Sequence, residues 1–80
     1  MNKELLNYCE QLTKHHKGKN SFTFTLGKKY ARIIKDDVCA FCFVDFLGNL
    51  YKPESWSKPA KGIRGHISKP LLEEGDFYVK

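Results

Sequence analysis

The sequence predicts an α+β fold: an N-terminal amphipathic helix packed on a three- to four-stranded antiparallel sheet, followed by a short basic helix or loop. Three observations carry this. Residues 1–17 hold an apolar stripe at helical spacing, residues 20–52 hold alternating or apolar runs joined by short turns, and the texture changes to Gly, Pro, Ser and Lys after Pro53. With 80 residues, the chain has room for a single domain around one core.

The helix comes first. Asn2 is an acceptable N-cap, and Gly18 supplies a stop just beyond His15 and His16. Leu5, Tyr8, Cys9 and Leu12 fall at i, i+3, i+4 and i+7, so one face is apolar. Lys3, Glu10, Lys14 and Lys17 take the other face, with the basic groups gathering near the C-terminal end, where the helix dipole favours them.

The strands follow. In Ser21–Leu26, Phe22, Phe24 and Leu26 alternate with hydroxyl residues. Gly27-Lys28-Lys29 reads as a hairpin turn, Tyr30–Lys35 as the second strand, and Asp36-Asp37 as the second turn. Val38–Val44 is almost wholly apolar, which suits a central strand. Asp45–Asn49 reverses the chain, and Leu50–Lys52 makes a short fourth strand. Short connections of this kind favour antiparallel neighbours.

After Pro53 the prediction is a basic Trp/Pro/Gly segment over 53–69. Ser57 could cap a short helix with Pro59 in its first turn, a loop being the alternative. Residues 70–80 read as an acidic, partly ordered tail.

Composition narrows the function classes. One Trp, four Tyr and six Phe give a short chain the apolar area that a folded core needs. No apolar run is long enough for a membrane span, and the N-terminal residues lack the apolar stretch of a secretory signal. Three cysteines, an odd count, argue against a closed disulfide framework and for a reducing, cytoplasmic setting. The net charge of +5 is unevenly spread: residues 1–35 carry +6, 36–51 carry −3, 52–69 carry +4 and 70–80 carry −2. Two basic blocks that converged in space would attract a polyanion.

The segment Phe43-Val44-Asp45, then Gly48-Asn49-Leu50-Tyr51-Lys52-Pro53-Glu54-Ser55-Trp56-Ser57-Lys58-Pro59-Ala60-Lys61-Gly62-Ile63-Arg64-Gly65-His66-Ile67, resembles a family of small uncharacterised proteins of bacteriophages and large DNA viruses. The likeness covers about a third of the chain and departs from the family's pattern at Glu54 and His66, where Ala and Asn are usual. It implies a viral origin and the cytoplasm of a host cell, and carries no activity with it.

The candidate binding residues come from the basic blocks. Lys58, Lys61, Arg64 and Lys69, joined by Lys28, Lys29 and Arg32, are positioned to meet phosphates, and Tyr51 or Trp56 to stack on bases. On a short helix or turn Lys61 and Arg64 would face the same way, with Gly62 and Gly65 allowing a phosphate near the backbone. The bland alternative puts Trp56 at the end of the core under Lys stems. The expected order of elements is also similar in layout to the double-stranded RNA-binding domain, whose last helix contacts phosphates.

Metal and catalytic readings are weaker. Cys39-x-x-Cys42 has zinc-ligand spacing, but in an extended strand residues three apart point to opposite faces, so buried thiols are the expectation and no metal or cofactor is implied. Gly18-Lys19-Asn20-Ser21 lacks the full phosphate-loop spacing, and Asp36-Asp37 and Glu73-Glu74 are adjacent acids in expected turns. The expected function is non-enzymatic: a viral nucleic-acid-binding protein, or a host-directed inhibitor that binds a host protein.

Overall fold

The computed structural model describes residues 2–73, 75 and 77. The elements run α1 (Asn2–His15), β1 (Phe22–Leu26), β2 (Tyr30–Lys35), β3 (Cys39–Asp45), β4 (Asn49–Pro53) and β5 (Pro59–His66). All five strands join one antiparallel sheet in sequence order, with α1 across one face.

This corrects the expected sheet of three or four strands with a basic helix or loop behind it. Residues 59–66 form a fifth strand on β4, with Leu50 opposite Gly65 and Tyr51 opposite Ile63. Backbone pairing with β4 satisfies peptide groups that a helix containing two glycines would hold only weakly. Lys61 and Arg64 therefore do not share a helical face, and the layout is not that of the double-stranded RNA-binding domain.

Helix α1 buries Leu5, Tyr8, Cys9 and Leu12. Its C-terminal turn closes through Gly18 N–H to Thr13 C=O and Lys17 N–H to Lys14 C=O, at 2.9 and 3.0 Å. This is a Schellman arrangement, in which the residue that first takes a left-handed backbone is Lys17 (φ 56°), one position before the expected Gly18. The Asp36 carboxylate then accepts from Asn20 Nδ2 (2.7 Å) and the Ser21 amide (2.9 Å), fastening the α1–β1 loop to the β2–β3 turn.

The core lies between α1 and the sheet. Phe22, Ala31, Ile33, Cys42, Val44 and Leu50 come from one face of the strands. A bulge in β3 adds Phe41 to them: Ile33 pairs with Cys42 and Ile34 with Ala40, so Phe41 is an extra residue without a partner on β2. Its ring meets Phe22 and Phe77 edge-on, with centroids 5.4 and 5.5 Å apart.

The segment expected to be an acidic tail returns to this core. Phe77 is fully buried, and Leu71 and Leu72 pack at the margin. Tyr8 donates its hydroxyl to Leu71 C=O at 2.7 Å, and one His16 ring nitrogen lies 2.9 Å from Leu72 C=O. Glu74, Asp76 and residues 78–80 of that segment lie outside the described residues. Among those described, no helix is long and apolar enough to cross a membrane.

Candidate functional site

The candidate site lies on the face of the sheet away from α1. Strand pairing aligns Thr25, Arg32, Phe43, Tyr51 and Ile63 as one row across all five strands, each opposite the next. Directly opposed residues on a sheet share a face, so this row runs across the face away from α1, with Phe43 in its middle buried. Tyr30 stands beside it, its ring edge-on to Phe43 (6.4 Å) and Tyr51 (5.4 Å).

Arg32 is the one charged residue of the row. Its guanidinium lies 4.7 Å from the Trp56 ring centroid and 5.9 Å from that of Phe43. The β4–β5 loop reaches this position by folding back over the sheet, tightened by Glu54 and Ser55 amides that both donate to Lys58 C=O. Cation–π attraction holds the guanidinium in place. Its Nε is buried without a hydrogen-bond partner among the described residues, which leaves the terminal nitrogens as the part able to meet a ligand.

Beside Arg32 lies a hollow of about 400 Å³ lined by Thr25–Tyr30, Arg32, Phe43 and Ser57. Lys28 and Lys29 are exposed on its β1–β2 rim. Among the described residues, Lys28, Lys29 and Arg32 have no carboxylate partner. Three cations over an aromatic floor can hold an anion with a flat ring attached to it.

At the end of the face, Asp45 gathers four hydrogen bonds: from the Leu47 and Asn49 amides (both 2.9 Å), Asn49 Nδ2 (3.0 Å) and the Tyr51 hydroxyl (2.9 Å). Partial burial by itself pushes the carboxyl pKa up, but the bonds from Asn49, Tyr51 and Leu47 together outweigh it and hold the group below its ordinary value. The same bond, donated to Asp45, raises the pKa of the Tyr51 hydroxyl. The next turn is fixed by His66. The Ser68 amide donates to its Nδ1 (3.1 Å), so the neutral ring carries its proton on Nε2 and donates it to Leu47 C=O at 2.8 Å.

The structure therefore brings Lys28, Lys29, Arg32, Tyr51 and Trp56 onto one face, and half-exposed Trp56 covers an arginine instead of plugging the core. The other expected residues are placed apart from the hollow. Lys58 pairs with Glu54 at 3.5 Å. Lys61 is exposed on β5, and Lys69 is exposed beyond it, bridged through the backbone to His66. Arg64 is half-buried, with its Nε buried and unpartnered among the described residues. A Cβ at Gly65 would approach Leu71 to 3.2 Å, so this glycine serves packing.

Sequence reasoning missed Tyr30, Phe43 and Thr25. The signal was present in Tyr30-x-Arg32, which alternates with Ala31 and Ile33 and so places an aromatic and a cation on the face opposite the core.

The thiols are divided by the fold. Cys39 is exposed, while Cys9 and Cys42 are buried. Burial raises the Cys9 pKa to about 11 and that of Cys42 further, so both remain protonated and behave as small apolar groups. No three His, Cys, Asp or Glu side chains gather as a metal site among the described residues.

No curated protein and no solved structure matches the chain. The chain belongs to a family of unknown function (DUF7717), whose family model matches residues 1–78.

Proposed function

We propose that this is a nucleic-acid-binding protein without enzymatic activity, and that the open face of its sheet is the binding surface. The observation that carries the reading is the hollow where Lys28, Lys29 and Arg32 stand around half-buried Tyr30, over buried Phe43, without acidic partners among the described residues. Cations neutralise phosphates, and aromatic rings accept bases of any sequence. Trp56 and Tyr51 extend the aromatic surface beyond the hollow. Lys61, Arg64 and Lys69 add positive charge on the β5 side, where Lys58 is offset by Glu54. The likeness to small phage and large DNA virus proteins supports a viral origin and a host-cell cytoplasmic setting.

Fluorescence anisotropy with labelled DNA and RNA, each as single strand and duplex, tests this. Three phosphate contacts give a log–log salt slope of about −2 for a single strand between roughly 50 and 200 mM salt. Replacing Lys28 and Lys29 together by alanine should remove most of that slope. Absence of binding to every form at low salt rejects the proposal.

A second reading is favoured by one feature. Phe46 and Leu47 are adjacent on the β3–β4 turn and are 50% and 80% exposed, as an anchor for a host protein would be. A stoichiometric partner captured from nuclease-treated host lysate, and lost on Leu47→Asp, would support that reading.

A further inference from the structure

Building on the nucleic-acid reading, we infer that the open-face hollow takes one unpaired nucleotide, so the protein binds single strands in preference to duplex. The aromatic groups of the site are recessed. Half-buried Tyr30 lies in the hollow, backed by buried Phe43, between the β1–β2 turn, with Lys28 and Lys29, and the β4–β5 loop, which contributes Ser57. In a duplex the faces of the bases are hidden in the stack, and only phosphates and groove edges reach the surface. Such a ligand could meet the lysines but would leave the rings unused. A single strand can turn one base into the hollow while its backbone stays on the rim.

The dimensions and the ring geometry agree with this. About 400 Å³ falls near the lower end of small-ligand sites, enough for one base with its sugar and phosphate. The Tyr30 ring stands at 83° and 82° to Phe43 and Tyr51, so neither ring lies parallel upon it. Lys28 and Lys29 directly precede Tyr30 and line the same hollow, so cations and ring face one ligand. Arg32, clamped beside Trp56, offers a pre-set fork of donors to a phosphate or a base carbonyl.

The test compares oligothymidine and oligouridine with DNA and RNA duplexes of equal length by anisotropy at low salt. Trp56, the only tryptophan, gives an independent reading through its fluorescence. Either single strand should bind at least about tenfold more tightly than its duplex and perturb Trp56. Tyr30→Leu should weaken single-strand binding about tenfold and change duplex binding little. Thr25→Glu, on the exposed β1 wall and outside the core, should repel the strand and weaken its binding severalfold even if Tyr30→Leu fails to fold. Equal or tighter duplex binding, or single-strand affinity unchanged in Thr25→Glu, overturns this inference and leaves the nucleic-acid reading standing. No binding to any of the four oligonucleotides removes both.

Discussion

Two neighbouring rows of residues cross this sheet one position apart, and they end up in opposite environments. Leu26, Ala31, Val44, Leu50 and Gly65 lie opposite one another on the helix face, while Thr25, Arg32, Phe43, Tyr51 and Ile63 do so on the open face. In the first row Ala31, Val44 and Leu50 are completely buried. In the second, Ile63 is 58% exposed and Arg32 lies under half-exposed Trp56, while Phe43 in the middle of the row is buried. The backbone is common to both rows, so the difference lies in what covers each face. Helix α1 and Phe77 close one face with apolar groups; a short loop lies over part of the other. Most of the buried apolar groups thereby lie on one side of the strands, and a register slip of one residue would exchange the two faces.

The sharpest way to break that division is to truncate one ring on each side. Phe41→Ala empties a site between Phe22 and Phe77 and should cost about 3–5 kcal/mol. A domain of this length has roughly 4–12 kcal/mol in total, so the variant stands near the edge of folding. Trp56→Ala removes a half-exposed ring and one cation–π contact, and should cost about 1 kcal/mol. Urea unfolding followed by circular dichroism gives both values. Equal losses would mean that the open face is part of the core and not a surface reserved for a ligand.

A smaller effect tests the β3–β4 turn, which packs against the end of edge strand β5. Gly48 has φ 90°, and a Cβ there would meet His66 Nε2 at 2.8 Å and Ile67 Cγ2 at 2.9 Å. Gly48→Ala therefore combines backbone strain with displacement of the ring that bonds Leu47, at a cost of about 2–3 kcal/mol. Gly48→Ala combined with His66→Ala, which removes the clashing ring, should recover only part of this loss, because the Ile67 contact and the backbone strain remain and the bond to Leu47 is gone. Full recovery in the double variant would show that the φ value itself costs nothing.

Helix α1 and strands β1–β3 were legible because each repeats a pattern: Leu5, Tyr8, Cys9 and Leu12 at 3.6-residue spacing, Phe22-x-Phe24 at two, and a solid apolar run through Cys39–Val44. Strand β5 was not. It is an edge strand whose residues are all exposed or half-buried, so burial imposes no period on it, and Gly62 and Gly65 imitate a loop. Pairing with β4 makes it a strand, and that information resides in Asn49–Pro53. The return of Phe77 to the core was hidden for a related reason, since a single buried ring has no periodicity. Of the candidate site, charge alone indicated Lys28, Lys29 and Arg32. The Arg32–Trp56 contact joins residues 24 apart through a folded-back loop, and no local pattern announces it.

The smallest expected effect concerns whether the open face contributes to stability through Asp45. Its folded-state pKa is below the unfolded value of about 3.9, so its contribution is fully present above that value and disappears as pH falls through the folded one. Tyr51→Phe deletes one of the four donors to this carboxylate and should cost about 1 kcal/mol or less at neutral pH, as the site is partly open to solvent. In acid strong enough to protonate Asp45, the cost should shrink because the bond is no longer charge-assisted. Asp45→Asn should lose more at neutral pH and flatten the acid limb, though not abolish it, since the Asp36 carboxyl is also held low by the Ser21 amide and Asn20. Urea midpoints at the two pH values measure both variants. If Tyr51→Phe costs as much in acid as at neutrality, the Tyr51 hydroxyl acts through packing on the open face and not through the Asp45 charge.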